Sequence, residues 1–269
     1  MSQIIDCHAH ICPDKLAERN MEIIKKFSGI TPAYDGSVSK LLGMMNRAGV
    51  LKSLVNNTVL KPELMHKAND FTTQVVSKNA GRLSGMAWIV PGETESVVEA
   101  ERCKGLGFSA FKMHNSHFKV MPADSRNDGI YEKIVEFNIP VLFHCGANPY
   151  GSSEATQYSA PKNFAPVLKS YPKMKVILGH LAGFQDFPDQ AIELLSLSPN
   201  AVADTALDAE GKEIDMKSIL ENISPSKMVF GSDYPIHDGV HILDWLRHSL
   251  SPEDLDYVCC KNILNLIPM

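Results

Sequence analysis

The chain has 269 residues, a length that suits one α/β barrel, and 44% of them are hydrophobic, which is enough for a large core. This composition excludes intrinsic disorder, and a net charge of −5 leaves no basic surface for nucleic acid or anionic lipid. No apolar stretch approaches the ~20 residues of a membrane span, and the first residues lack the features of a secretory signal. The six cysteines form no Cys-x-x-Cys pair, so we expect reduced thiols and a cytoplasmic protein.

Short apolar runs alternate with amphipathic stretches along the chain, which is the pattern of βαβ units. The predicted strands are Gln3–His10, Lys52–Thr58, Leu83–Val90, Phe108–His114, Ile139–His144, Lys175–His180, Ala201–Thr205 and Met228–Asp233. The predicted helices are Ser37–Ala48, Pro62–Asn79, Glu93–Lys104, Asp128–Phe137, Lys162–Ser170, Pro188–Leu197, Glu213–Asn222 and Gly239–Leu250. Eight such repeats predict an α/β fold, a (β/α)8 TIM barrel that forms a single domain over residues 1–269. A doubly wound open sheet is the alternative, but its usual Gly-rich first turn is replaced here by His-Ala-His.

Metal-binding side chains fall at the ends of several predicted strands, where the chemistry of this fold gathers. The first strand ends with His8 and His10, which are two residues apart and therefore share a face, as a pair of metal ligands would. The fifth strand ends with His144, the sixth with His180 and the eighth with Asp233. Because a buried aspartate is rare unless it is paired or bound to a metal, this set indicates a site rather than coincidence.

The order of these motifs carries a family resemblance. Asp-Cys-His-Ala-His at 6–10, Leu-Gly-His-Leu-Ala-Gly at 178–183 and Gly-Ser-Asp-Tyr-Pro at 231–235 resemble the amidohydrolase superfamily. With the closing segment 261–266, the chain is similar to the amidohydrolase-related (amidohydrolase 2) branch, which includes aminocarboxymuconate semialdehyde decarboxylase. The resemblance runs from Asp6 to Leu266, so it covers nearly the whole chain.

The resemblance implies a metal-dependent enzyme that acts on a small molecule. It implies that His8, His10, His144 and Asp233 bind one Zn²⁺ per chain, and that Asp233 and His180 transfer protons. Zinc lowers the pKa of its bound water toward ~7, which supplies a nucleophile at neutral pH. The first expectation is therefore hydrolysis of an amide, ester or lactone.

The fourth predicted strand adds Lys112 and His114, which share one face. Three interpretations stay open. Lys112 is carboxylated and bridges a second metal; or it binds a substrate carboxylate while His114 donates to an oxyanion; or it extends to solvent. Asn115 and Tyr150 lie in loops after the fourth and fifth strands and are predicted to contact substrate. Asp6 is expected in a buried network beside the metal ligands.

Other reactions use the same kind of site. The alternative function is a zinc-dependent, non-oxidative decarboxylase of a small unsaturated carboxylic acid, in which Lys112 replaces the usual arginine as the counter-charge. A metal-dependent phosphoesterase or DNase is more distant, because no Glu ends a predicted strand. A non-catalytic binding barrel would hold no metal. A homodimer is the default expectation for the assembly.

Overall fold

The computed structural model describes residues 3–148, 153–207 and 216–267. Eight strands form one sheet in the order β1 to β8, and each pairs in parallel with the next along the chain. The strands are β1 Ile4–His10, β2 Val50–Asn56, β3 Leu83–Trp88, β4 Ala110–Met113, β5 Val141–Phe143, β6 Val176–Leu178, β7 Ala201–Asp204 and β8 Met228–Val229.

Backbone hydrogen bonds between the end of β8 and β1 close the sheet into a barrel. The Cys7 N–H donates to Phe230 O at 2.9 Å, and the Asp233 N–H donates to His8 O at 2.8 Å. The predicted (β/α)8 TIM barrel is therefore confirmed. Within the described ranges, no helix is both long and apolar enough to cross a membrane.

Helices separate the strands, as predicted. They are α1 Asp14–Ser28, α2 Val38–Ala48, α3 Met65–Lys78, α4 Glu95–Gly105, α5 Asn115–Phe118, α6 Asp128–Phe137, α7 Ser153–Thr156, α8 Ala165–Ser170, α9 Gly179–Gly183, α10 Pro188–Ser196, α11 Met216–Asn222, α12 Gly239–Ser249, α13 Pro252–Asp256 and α14 Asn262–Leu266. The α1 helix was not among the predicted helices, whereas α6 has the predicted bounds. The α9 segment is a single left-handed turn rather than an ordinary helix, because φ is positive at His180, Leu181 and Ala182.

Inward-facing side chains from all eight strands fill the barrel interior. This inner core contains Ile5, Cys7, Leu54, Met86, Ala110, Leu142, Ile177, Val202 and Val229. Ile263, Leu266 and Ile267, at and just after α14, pack onto the same core. A larger cluster lies between the strands and the surrounding helices. Because apolar residues fill the barrel interior, the polar side chains of a functional site must lie at the ends of the strands.

The β1 strand pairs with β2 through an irregular register. Asp6 pairs with Ser53 and Ala9 with Val55, so three residues of β1 advance while β2 advances two. Cys7 joins the inner core, yet the next residue, His8, contacts the polar groups at the strand ends. Such a bulge redirects a side chain without ending the strand. It also separates Asp6 from the face that carries His8.

Candidate active site

Three of the predicted metal ligands meet at the strand ends. His8 Nε2 lies 3.1 Å from His10 Nε2, and Asp233 Oδ1 lies 3.3 Å and 3.2 Å from the same two atoms. In the part of the chain that the structure describes, these three residues form the one group of metal-ligating side chains within such short distances. We call them the metal group.

The outer ring nitrogens of both histidines have partners that fix the tautomer. His8 Nδ1–H donates to Asp204 Oδ2 at 2.8 Å. The amide of Asn56 donates to Ala9 O, so its oxygen is the acceptor for His10 Nδ1–H at 2.8 Å. Each neutral ring therefore directs an Nε2 lone pair at the carboxylate oxygen of the metal group. Two lone pairs and an anion at this distance are suited to bind a cation among them.

Protonation states in the metal group suit a divalent ion. Burial lowers the pKa of His8 to about 4, so the ring is neutral at neutral pH. Burial opposes ionisation of Asp233, but the neighbouring His8 and His10 hold its pKa well below the usual range. Metal ligation needs neutral imidazole and ionised carboxylate, which is the combination present. The donors therefore fit a divalent metal that accepts nitrogen and oxygen ligands.

Lys112 adds a buried cation to the metal group. Its Nζ donates to His8 Nε2 at 3.0 Å, and the residue is only 1% exposed. Burial lowers its pKa to about 8, against the opposing charges of Asp233 and Asp204. The interpretation in which Lys112 extends to solvent is therefore wrong. Its carboxylation and its binding of a substrate carboxylate both stay open.

His144 and His180 form a separate pair beside the metal group. His180 Nε2 lies 3.0 Å from His144 Nδ1, and the His8 and His180 rings are 5.6 Å apart. The outer nitrogens face carbonyls, His144 Nε2 at 3.1 Å from Ala147 O and His180 Nδ1 at 2.8 Å from Ala206 O. Each of these three contacts needs one N–H to be a hydrogen bond, which makes three protons for the pair. Two neutral imidazole rings carry only two, so one contact is not a hydrogen bond when both rings are neutral. The structure does not bring His144 into the metal group, and its role as a ligand stays a prediction.

Backbone strain positions the sixth-strand histidine. His180 has φ 57°, and the left-handed turn continues through Leu181 and Ala182 to Gly183. The His180 N–H donates to Asp204 Oδ1 at 2.8 Å, so one carboxylate orients both this backbone and the His8 ring. A Cβ on Gly183 would lie 2.8 Å from the Cα of Gly146, so the turn needs glycine here. Non-glycine residues with positive φ concentrate at functional sites.

A stack of nearly parallel rings borders the site. The His114 ring lies 3.4 Å from that of His117 and 4.1 Å from that of His144, with interplanar angles of 10° and 7°. The Trp88 indole is close to parallel with the first two, at 18° and 17°. Burial lowers the pKa of His114 well below its usual range and that of His117 to about 3, so both rings are neutral. The predicted site residue His114 thus belongs to an aromatic wall.

The remaining predicted substrate contacts have mixed outcomes. Asn115 is fully buried, and its Nδ2 donates to Val120 O at 3.0 Å, which holds the turn after β4. Its predicted contact with substrate stays a prediction. Tyr150 lies outside the described residues.

Sequence reasoning missed Asn56 and Trp88. They are the last residues of β2 and β3, but the predicted strands extend two residues further, to Thr58 and Val90, so neither residue stands at a predicted strand end.

Asp6 links the strands beneath the metal group. Its carboxylate accepts the N–H groups of His8 and Ser232 at 3.1 Å and 2.9 Å. It also accepts the hydroxyls of Ser53 at 2.9 Å and Ser232 at 2.7 Å. Burial raises its pKa to about 6. The structure therefore places Asp6 in a buried network, as expected, that joins β1, β2 and the loop after β8.

A family model described as amidohydrolase matches residues 5–268. The chain belongs to the amidohydrolase family. A sequence search of curated proteins finds no significant match. Membership supports an enzyme, and a divalent metal is expected for this family, in agreement with the metal group.

Solved structures share the fold at low sequence identity. 5-Carboxyvanillate decarboxylase from Sphingomonas paucimobilis has a TM-score of 0.75 and 14% identity, with 100% of each chain covered. A dihydroxybenzoic acid decarboxylase from Polaromonas, with bound manganese and the inhibitor 2-nitroresorcinol, has a TM-score of 0.77 and 16% identity, covering 99% of this chain and 97% of that one. 4-Oxalomesaconate hydratase from Rhodopseudomonas palustris has a TM-score of 0.70 and 19% identity, covering 99% of this chain and 96% of that one. At these identities the likeness shows the barrel fold.

Proposed function

We propose that this amidohydrolase-family chain is a divalent-metal-dependent, non-oxidative decarboxylase of a small unsaturated carboxylic acid. The observation that carries the proposal is Lys112, a buried ammonium 3.0 Å from a nitrogen of the metal group. A buried cation beside a metal is a suitable partner for a substrate carboxylate, because it neutralises charge that burial would otherwise penalise. The decarboxylases among the structural neighbours support the same choice.

The metal is proposed to be held by His8, His10 and Asp233, with His144 as a further ligand. A divalent ion bound there would polarise a substrate oxygen as a Lewis acid. We propose one Zn²⁺ per chain, and the manganese in the Polaromonas structure makes Mn²⁺ the second ion to test.

The reaction needs a proton on carbon. When the bond to the carboxylate breaks and CO₂ leaves, its electron pair stays with the carbon, which takes up one proton. We propose that His180, whose Nε2 lies 3.0 Å from His144 Nδ1 beside the metal group, delivers that proton. Asp233 is ionised and is proposed to accept a proton from the substrate or from water.

An assay of CO₂ release tests the proposal. The Zn²⁺- and Mn²⁺-loaded protein is incubated with unsaturated and aromatic carboxylic acids, including 2,6-dihydroxybenzoate, and with lactones, amides and a phosphodiester. We expect CO₂ from at least one acid, and we expect Lys112→Gln to raise KM for it at least tenfold while Lys119→Gln does not. Hydrolysis without CO₂ release from any acid would overturn the decarboxylase.

Hydrolysis, the first expectation from the sequence, is the second candidate. The observation that favours it is the placement of the arginines, the usual partners of a substrate carboxylate. Within the described residues no arginine forms a hydrogen bond or ion pair with the metal group, and Arg47 and Arg82 bond to Tyr34 and to Asn46 and the start of β2. Arg19 is exposed on α1, and Arg102, Arg126 and Arg247 form ion pairs with Asp70, Asp124 and Asp244. A hydrolase that acts on an uncharged amide, ester or lactone needs no such guanidinium.

A further inference from the structure

We infer that Trp88 is a substrate-binding residue of this site, whose indole N–H donates to an oxygen of the bound substrate and whose ring faces a planar part of it. The inference deepens the proposed function and rests on it. Neither the family match nor the sequence motifs assign a role to this residue.

The strand pattern puts Trp88 at the mouth of the barrel. Met86 belongs to the inner core and Ala87 to the outer cluster, so the alternation along β3 puts Trp88 on the inward face. Beyond the inner core, Trp88 packs in a small apolar cluster with Val59, Met65, Ala68 and Val90. It pairs in register with Lys112 on β4. Its indole centroid is 6.2 Å from that of the His10 ring, so it adjoins the metal group. Trp88 is therefore a near neighbour of the proposed substrate site.

A side-chain clamp holds Trp88 from behind. The side-chain oxygen of Asn69 accepts the backbone N–H of Trp88 at 2.8 Å, and its side-chain nitrogen donates to the backbone carbonyl of Trp88 at 3.0 Å. The same amide donates to Glu99 Oε1 at 2.7 Å, and Glu99 is fixed by two hydrogen bonds from Arg102. This arrangement fixes the backbone at the end of β3, which is typical of support for a functional side chain.

The indole N–H lacks a partner in the part of the chain that the structure describes. Trp88 is fully buried, and its Nε1 has no hydrogen-bond acceptor among the described residues. Buried N–H groups are nearly always satisfied, so an exception needs an explanation such as a ligand. An oxygen acceptor on a bound substrate would supply the missing bond. A carboxylate or phenolate oxygen would form the stronger, charge-assisted version.

The surrounding rings favour a planar ligand. Trp88, His114 and His117 share one orientation to within 18°. A flat conjugated group gains aromatic ring–ring contact with such side chains, which a saturated ring lacks. We therefore expect discrimination between planar and non-planar acids of equal charge.

The test uses Trp88 as its own reporter. The chain has two tryptophans, so Trp245→Phe leaves Trp88 as the sole indole. Zn²⁺-loaded protein with ¹⁵N-labelled indole is titrated with benzoate and, as the matched control, with cyclohexanecarboxylate. We expect the Trp88 indole N–H resonance to move with benzoate, which should bind at least tenfold more tightly than the saturated acid.

A second variant isolates the N–H itself. Replacing Trp88 with 3-benzothienylalanine keeps the fused rings and exchanges the N–H for sulfur. We expect about a tenfold loss of benzoate affinity with unchanged zinc content. The inference is overturned if the Trp88 resonance does not move, if both acids bind alike or not at all, or if the analogue binds benzoate equally well. Because binding is measured without turnover, absence of CO₂ release alongside these expected results would overturn the proposed function instead.

Discussion

At the scale of single residues, the metal group depends on side chains that do not point at the metal. Asp204 and Asn56 each bind an outer ring nitrogen and so leave both Nε2 atoms free to act as ligands. Asp204 keeps this role because His8 and other neighbours lower its pKa, although burial opposes ionisation. Outer partners of this kind set the ring orientation and the basicity of the ligand.

Asn56 offers a direct test of that role. Asn56→Ala removes the shorter contact of His10 Nδ1, at 2.8 Å, and leaves only Thr58 Oγ1 at 3.2 Å, so we expect metal affinity to fall ~10- to 100-fold. The measurement is a competitive titration of Zn²⁺ against a chelator. Asn57→Ala, at the adjacent residue, is the matched control and should leave the affinity unchanged. Equal affinities for the Asn56 variant and the wild type would show that the tautomer of His10 does not depend on this contact.

A second residue-scale prediction separates ligand from proton donor. His180→Asn should retain most of the metal and lose ~100-fold or more in turnover, because His180 bonds to His144 rather than to the metal group. Asp233→Asn should lose both metal and turnover, because its carboxylate belongs to that group. Metal content by elemental analysis and kcat on the same samples provide the check. Equal metal loss in both variants would make His180 a ligand.

At this scale, the sequence predicts which side chains meet when they lie on the same strand. His8 and His10 share a strand, so their spacing alone predicts that they meet. Asp233 joins them because parallel strands end at one mouth. His144 could not be placed in the same way, because its ring turns to pair with His180. Side-chain direction beyond a strand end is set by loop geometry, which periodicity does not encode.

At the scale of elements, the strands that carry the chemistry are shorter than predicted. The ladders of β4, β5 and β6 end at Met113, Phe143 and Leu178, each before its histidine. The apolar pattern continues past these points, so a sequence reading extends the strands. The histidines leave the ladder because their backbone must turn the ring toward the mouth. This is clearest at His180, where φ is 57°.

The Glu99 network joins three elements and yields a prediction about pH. Burial raises the pKa of Glu99, but hydrogen bonds from Arg102 and Asn69 outweigh that effect and lower it below 4.5. A depressed folded pKa stabilises the fold above the unfolded value, and this contribution is lost as pH falls through the folded pKa. Glu99→Gln should lower the free energy of unfolding by about 2 kcal/mol at pH 7. Breaking a fully buried ion pair would lower it more, but Arg102 is partly exposed.

Thermal unfolding at several pH values checks the Glu99 prediction. The cost corresponds to a Tm lower by about 4–8 °C at pH 7, and the difference should shrink as pH falls below 4.5. Glu101→Gln, in the same helix and on an exposed carboxylate, is the control and should change Tm little. A Tm difference that is independent of pH would mean that Glu99 does not act through its charge.

At the scale of the whole molecule, the barrel could be predicted because one unit repeats eight times in a chain of 269 residues. A repeat of strand and helix forces parallel pairing, and parallel pairing places every strand end at one mouth. What the repeat does not specify is the content of the loops, such as the α1 helix that follows β1. Substrate choice depends on those loops, so the sequence leaves hydrolysis and decarboxylation open.

Metal binding should stabilise the whole fold, because the metal group exists only when β1 and the end of β8 are joined. An ion present at ~1,000 times its Kd adds about 4 kcal/mol, which is a rise of about 8–16 °C in Tm for a chain of this size. The double variant His8→Ala, His10→Ala removes two of the three residues of the metal group and should show no rise and no bound metal. The control double variant His241→Ala, His248→Ala, on the exposed face of α12, should behave like the wild type.

Elemental analysis should give one ion per chain. A value near two would favour a carboxylated Lys112 that bridges two metals, and stoichiometric metal in the His8, His10 variant would contradict the assignment of the metal group.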